Sequence, residues 1–440
     1  MIQWLNLSTD QRIRILEIAS EKTGINPKAI EKDWWVTLIL KAIFQTEFSS
    51  HLLFKGGTSL SKCWKIIERF SEDIDIAVDR ELLGLTGTLT NTKIKQLKRA
   101  ACAFTSGKLL QAVEFELHRL GTPKGMITIT AGEISPNHPD KDPQQLYITY
   151  PSLYGHHTYL KEAVVIEVSA LSLAEPSGTC NVQSILSEHF TGKLYSETPF
   201  AVQAVDPRRT FLEKLFLLHE EFQKDGSQRP INTYRMSRHL YDIIQLMGSN
   251  YADAALSDQT LYKDIIAHRQ HYYHLPWVDY EKHDPAWLNF LPHPSVSYHF
   301  HSDYREMQLF MIYGTSPKFS DLLRSLWELQ KRLRKIADPS FTHLFNLEGS
   351  AVIGSDWSEP IPIDYGYDVL VDFATPGVNV KIDHPIGASR VIPFSNQFYS
   401  SWRIPFSAFE HVHYPSISFQ NLAHGIKSNE VRFKLIPPTT

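Results

Sequence analysis

"FKGGTSLSKCWKIIERFSEDIDIAVD", residues 54–79, decides the fold. Upstream, "HLLFK" (51–55) reads as a short buried strand. A glycine pair follows, then a helix over 58–69, then a strand over 72–79 whose residues alternate in polarity. Residues at i and i+2 of a strand point to one face. Asp73 and Asp75 therefore share a face, and Ile74, Ile76 and Val78 share the other. Two carboxylates so placed lie within reach of one divalent ion. Mg²⁺ favours a few carboxylate oxygens plus substrate phosphates, and a third acid on a neighbouring strand would complete a two-metal arrangement for in-line displacement at phosphorus. Gly56 and Gly57 let the backbone approach a ligand closely. The helix start behind them offers N–H groups to a phosphate, and Thr58 and Ser59 add hydroxyls. A Walker P-loop is excluded, because Ser61-Lys62-Cys63 stands where Gly-Lys-Ser/Thr is needed. Alternating acids alone fit a solvent-facing strand and Gly-Gly alone fits any turn. Strand, glycine pair, helix and Asp-x-Asp strand together are far more specific.

The totals fit a soluble globular chain with more than one domain: 440 residues, 42% hydrophobic, 21% charged, net charge −4. No overall basic field draws it to nucleic acid or an anionic membrane, so such binding must use local patches. Cys63, Cys102 and Cys180 are far apart and show neither metal spacing nor a disulfide framework, which fits a reducing compartment. "MIQWLNLSTDQ" lacks a signal-peptide core, and no apolar run approaches a membrane span, so a cytoplasmic location is expected.

Two helices are expected over 8–45, with Asn26 as a cap and Pro27 at the first helical position. Strand-like runs follow at "MITITAGEIS", "QQLYITYPSL" and "EAVVIEVSAL", and helices over 207–225 and 230–248. Residues 250–340 read as irregular helix ending in the basic helix "FSDLLRSLWELQKRLRKIA". After Pro339 short alternating runs broken by Pro, Gly, Asn and Ser read as an all-β sandwich or barrel. The expected segments are a core with N-terminal helices (1–250), its helical extension (251–338) and an all-β accessory domain (340–440).

The joint motif resembles the nucleotidyltransferase superfamily and, more narrowly, the AbiEii/AbiGii toxin family of toxin–antitoxin and abortive-infection systems. "IEKDWWVTLIL" (30–40), "VVIEVS" (164–169), "DPRRTFLEKLFLLHE" (206–220) and "RMSRHLYDI" (235–243) resemble further family segments, in order, over roughly 20–335. The resemblance implies an α+β fold, a mixed sheet with flanking helices and a helical C-terminal part. The β-rich region 341–440 lies outside the family pattern.

By resemblance, Lys55, Gly56, Gly57 and Thr58 or Ser59 hold nucleotide phosphates. Asp73, Asp75 and Glu167 bind Mg²⁺ or Mn²⁺, and Lys214 and Asp242 complete the catalytic set. Arg69, Ser71, Arg238 and His239 lie on the nucleotide side. Glu167 also draws attention by itself: a lone charge in an apolar strand must meet a metal, a cation or the sheet edge. Glu162 is its alternative, at the polar start of the same strand. Ser71 is either a nucleotide contact or a site of inhibitory modification. Lys32 and Asp33 are expected to line the cleft, Trp34 and Trp35 to be core, and Glu72 to be solvated. Arg208 and Arg209 are candidates to flank the substrate path.

The implied activity is transfer of a nucleoside monophosphate from an NTP to an acceptor hydroxyl. An RNA, the tRNA 3′ end, is the implied acceptor, and a cognate antitoxin the implied partner, in a phage-defence setting. Two alternatives stand beside it: a protein-NMPylating enzyme, and a non-catalytic nucleotide-binding or docking module with recognition by the β domain. The basic helix 318–336 and the aromatic stretch 268–287 fit RNA contact, and equally a solvated face and a packing layer. The histidine pairs 156–157, 271/274 and 411/413 lack zinc companions.

Overall fold

The computed structural model describes residues 2–133, 140–155, 162–171, 175–224, 229–292 and 294–337, and strand segments between 346 and 436. The helices are α1 (Ile2–Leu5), α2 (Thr9–Thr23), α3 (Pro27–Ile43), α4 (Gly56–Lys62), α5 (Asn91–Phe104), α6 (Leu110–Arg119), α7 (Ile185–His189), α8 (Pro207–Phe222), α9 (Ser237–Met247), α10 (Asn250–Ser257), α11 (Gln259–His268), α12 (Pro294–Phe310) and α13 (Phe319–Ala337). The strands of the main sheet are β1 (Leu52–Lys55), β2 (Asp73–Val78), β3 (Thr128–Ala131), β4 (Gln144–Thr149), β5 (Ala163–Ser169), β6 (Ser177–Val182) and β7 (Phe200–Val205). The chain divides into two compact units, one of 1–211, 245–273 and 306–316, the other of 212–244, 274–305 and 317–440. They interleave in sequence, whereas the sequence suggested three consecutive segments.

The first unit holds a seven-stranded mixed sheet of order β3-β4-β5-β2-β1-β7-β6. Strands β2 and β5 run parallel, as do β1 and β7, and the other neighbours are antiparallel. Alternation sorts the central strands into two faces. Phe54, Ile74, Ile76, Leu146, Ile148, Ile166 and Val168 are buried on one. Lys55, Asp73, Asp75, Gln145, Tyr147 and Glu167 are only half-buried on the other. Helix α3, capped by Asn26 with Pro27 at its start, contacts β2, β5 and α6. Trp34 and Trp35 are core, as expected. Each buries up to ~150–250 Å², an upper bound of about 4–6 kcal/mol. Helix α2 shows the Ser8–Gln11 capping box and ends at Gly24 in the left-handed region.

Three local expectations change. The helix after the glycine pair runs from Gly56 to Lys62, not over 58–69. It stops where the Trp64 indole N–H donates to the Val205 carbonyl (3.1 Å) and Lys65 turns through a φ of 52°. The helix expected over "KLLQAVEFELHRL" is α6, joined to α5 by one π-turn, Thr105–Leu109. Cys63 and Cys180 are disulfide-bonded across 117 residues, and Cys102 is the free thiol. Proximity of their elements in the fold, invisible in the spacing, pairs them, and the cysteine argument for a reducing compartment falls.

In the second unit, apolar and polar groups share one core. Phe222 packs on Phe300 and His301 stacks on Phe319. His283, fully buried, meets Glu220 at 3.1 Å, and Gln330 donates to Leu288 and Asn289. Trp277 donates to the Glu220 carbonyl, and Tyr280 stacks on His283. This part of the aromatic stretch 268–287 is therefore a packing layer. Its earlier part is too, within the first unit: His268 meets the Leu171 carbonyl, His271 the Leu89 carbonyl, and Arg80 lies over Tyr272.

Toward the C-terminus the described segments are all strands: β8 (Asn346–Glu348), β9 (Ala351–Ile353), β10 (Ile361–Asp364), β11 (Val369–Phe373), β12 (Val378–Asp383), β13 (Ser389–Ile392), β14 (Ser400–Ile404), β15 (Ser416–Asn421), β16 (Ile426–Lys427) and β17 (Val431–Ile436). One sheet orders β10-β17-β15-β12-β13 with β16 on β15, and β11-β14 and β8-β9 form two pairs.

Candidate active site

Strand register assembles a row of polar side chains. Asp75 sits opposite Lys55 on β1 and opposite Glu167 on β5, and Glu167 sits opposite Gln145 on β4. Cross-strand partners share a face with Cβ atoms about 5 Å apart, so Lys55, Asp75, Glu167 and Gln145 form one line across four strands. One step along, Asp73, Val165 and Tyr147 form a second line on the same face. Glu167 accepts a hydrogen bond from the Gln145 amide (2.7 Å), whose oxygen accepts one from the Tyr147 hydroxyl (2.7 Å). The lone acid of the apolar strand thus finds a polar partner beside a second carboxylate. Glu162, the alternative, pairs with Lys28 at 3.3 Å.

The glycine pair borders this row. Gly56 has a φ of 75°, and a Cβ there would fall on the Asp75 carboxylate, 2.8 Å from its Cγ. A Cβ on Gly57 would meet Arg69 Nη2 at 2.6 Å and Ser71 Oγ at 3.1 Å. One glycine therefore faces the acids and the next faces Arg69 and Ser71. Arg69 is buried and donates to the Phe70 carbonyl (3.2 Å). Its segment is fixed by the end of α12: Phe70 N–H donates to the Met311 carbonyl, and Tyr313 and Gly314 N–H donate to the Glu68 carbonyl. Arg69 and Ser71 line a cavity of about 210 Å³ together with Asp33, Lys62, Lys65 and Tyr313.

Thr58 and Ser59 are fully buried. Their hydroxyls donate to the Asp73 and Gly56 carbonyls, at 2.5 and 2.9 Å. Thr58 thus staples α4 to the acid strand and Ser59 bonds back within α4, which leaves the backbone, not the hydroxyls, at the turn's surface. Glu72 is not solvated: it is 3% exposed and pairs with Lys32 at 2.6 Å. Asp33 pairs with Lys62 at 2.6 Å and accepts from the Ile185 N–H (2.8 Å). Arg208 pairs with Asp206, and Arg209, fully buried, reaches the Glu175 carbonyl at 3.5 Å.

Asp142, just before β4, carries no signal in the sequence. It accepts from Ser169 Oγ (2.5 Å) and the Ala170 N–H (3.0 Å) at the end of β5. Burial pushes its carboxyl above the ordinary Asp value, with Lys55 and Lys98 opposing. Strand pairing alone brings it near the row, so sequence reasoning misses it. Gln145 escapes notice for the same reason.

The remaining expected residues cluster in the second unit. Lys214 on α8 meets fully buried Asp242 on α9 at 2.9 Å, and His239 Nδ1 lies 3.4 Å from the Lys214 ammonium. Arg238, on the same helix, is half-buried. Arg238 and Asp242, four apart, do not pair with each other as a surface ion pair; Asp242 takes Lys214 instead.

The family profile described as "Nucleotidyl transferase AbiEii toxin, Type IV TA system" matches residues 38–335, about two thirds of the chain. The chain belongs to the AbiEii family. Its members are nucleotidyltransferase-type toxins of type IV toxin–antitoxin systems, which implies a cognate antitoxin. No curated protein and no solved structure matches. The AbiEii match spans the acid row, the glycine turn and the Lys214 cluster, and stops before the β-rich segments. No described helix is long and apolar enough to cross a membrane.

Proposed function

We propose that this AbiEii protein transfers a nucleoside monophosphate from an NTP to a hydroxyl of RNA, at a tRNA 3′ end, as the toxin of a phage-defence system in the cytoplasm. The observation that carries the reading is the register Lys55–Asp75–Glu167–Gln145 bordered by Gly56. In the reaction the acceptor oxygen forms a bond to the α-phosphorus as the α–β bridging bond breaks and pyrophosphate leaves. Its proton passes to a carboxylate, a role we assign to Glu167, which accepts a hydrogen bond from Gln145.

Asp73, Asp75 and Glu167 are the residues that would hold Mg²⁺. Their hard oxygens suit it, although no group of three His, Cys or acid ligands is preassembled among the described residues. Bound there, the metal would supply charge neutralisation at the phosphates. The Gly56–Gly57 backbone permits close approach of a phosphate, and Arg69 and Ser71 stand on its far side. Lys55, opposite Asp75 at the end of the acid row, would neutralise phosphate charge. Lys214, Arg238, His239 and Asp242 are assigned to the nucleotide on family resemblance; in their own geometry Lys214 meets Asp242 and lies beside His239, with Arg238 half-buried on the same helix.

The test is incubation with labelled NTPs, Mg²⁺ and total RNA or lysate, comparing wild type with Asp75→Ala and Glu167→Gln. RNA labelling that needs both acids is expected. Label on protein would move the acceptor to protein, and labelling indifferent to both substitutions would refute the assignment.

A further inference from the structure

Helix α5, "NTKIKQLKRAACAF", carries four cations and no acid. Ile94, Leu97, Ala101 and Phe104 are buried as its apolar stripe. Lys95 and Arg99, one turn apart on the opposite face, are exposed, with Lys98 beside them half-exposed. Exposed Lys93 precedes them, and exposed Lys108 follows in the π-turn. Cations one helical turn apart repel, and cations near a helix start oppose its dipole. The helix also has no acid in its first turn to offset them.

Several other cations in this protein are matched. Lys65 pairs with Glu188, Arg119 with Glu116, Arg208 with Asp206, and Lys224 with Glu221. On the basic helix α13, Arg324 pairs with Asp321 and Lys331 with Glu328. Among the described residues Lys93, Lys95, Lys98, Arg99 and Lys108 have no such ion pair. A chain of net charge −4 that concentrates unmatched cations on one helix has a strong local patch. The helix is tied to the acid row's neighbourhood: Cys102 on α5 donates to the Lys141 carbonyl (3.0 Å), and the next residue, Asp142, accepts from Ser169 and Ala170 at the end of β5.

We infer that the outer face of α5 binds the phosphate backbone of the RNA acceptor, upstream of the hydroxyl presented to the acid row. This rests on the RNA reading of the proposed function. The contact is independent of base identity, because its targets are phosphates, which carry no base information. A polyanion lying along α5 relieves the repulsion within it, and the ~21 Å length of the helix spans several phosphates.

The experiment measures anisotropy of a fluorescein-labelled unstructured RNA against salt. It compares wild type, Lys95→Gln with Arg99→Gln, and a control with Arg324→Gln and Lys331→Gln on α13. Removing two cations that each neutralise a single-strand phosphate should lower the log–log salt slope by about 1.4 and weaken binding about 25-fold at 0.1 M salt. Melting temperature and labelled-NTP binding should stay at wild-type values, and the control should bind like wild type. Unchanged slope and affinity in the α5 variant overturn the inference. So does an equal loss in the α13 control, or a loss of antitoxin binding with RNA binding intact. Wild type that binds RNA through α5 yet transfers no label refutes the transfer reading and leaves this one standing.

Discussion

Gly56→Ala separates an architectural glycine from an incidental one. Its φ of 75° costs an L-residue about 1–2 kcal/mol. The new Cβ also overlaps the Asp75 carboxylate, so that side chain must leave its rotamer, at about 0.5–1.5 kcal/mol more. The sum, about 1.5–3.5 kcal/mol, should lower the melting temperature by about 3–7 °C in scanning calorimetry. Because the displaced group is an acid of the row, NTP-dependent labelling should fall about a hundredfold or more, the usual result of misplacing a group by an ångström. Gly57→Ala is the matched comparison. There the obstruction is the tip of Arg69 and the Ser71 hydroxyl, with no left-handed φ to hold, so a loss of about 1 kcal/mol is expected, since flexible tips yield at low cost. A Gly56→Ala protein that melts and labels like wild type would falsify the claimed approach of the turn to Asp75.

Other outcomes follow from the buried charges and the cysteines. Asp242→Ala should destabilise by about 3–5 kcal/mol in urea titration, because it strands the Lys214 ammonium. Lys214→Met with Asp242→Leu should recover much of that loss, and a double variant as unstable as the single contradicts the pairing. Burial raises the Glu31 carboxyl above its usual 4.5, against hydrogen bonds from Leu153 N–H and Ser152. The folded protein then holds this proton more tightly than the unfolded chain, so stability falls as pH rises from about 4.5 through the folded value. Glu31→Gln should flatten that part of the melting-temperature profile, and an unaltered profile is the opposing result. Thiol titration of the denatured protein should find Cys102 alone before reduction and all three cysteines after it; three at the outset would exclude the Cys63–Cys180 bridge.

Much of the first unit was legible because its signals are local. Asn26-Pro27 marks a helix start, the alternation of 73–78 fixes two faces, and the glycine pair announces a close approach. Glu167 was legible as an acid with no business in an apolar strand. Residues whose meaning depends on pairing were not. Gln145 and Asp142 look like ordinary loop-edge polar residues until β4 lies beside β5. Glu72 looks solvated until α3 brings Lys32 over it. Thr58 and Ser59 carry the right chemistry for phosphate, but the short helix turns both inward. The bridge between Cys63 and Cys180 depends on β6 and β7, neither of which the sequence pattern disclosed.

Helix α3 sets a limit on how this protein is cut. The family match begins at residue 38, in the middle of that helix. A chain truncated there loses Lys32 and Asp33, and with them the counterions of Glu72 and Lys62, which are 3% and 5% exposed. Each stranded ion costs several kcal/mol, and the loss of Trp34 and Trp35 opens the layer beneath the acid strand. The smallest autonomous piece must begin no later than the Asn26 cap, so a fragment cut where the family match begins should be destabilised, and its silence in any assay says nothing about the chemistry of the longer chain.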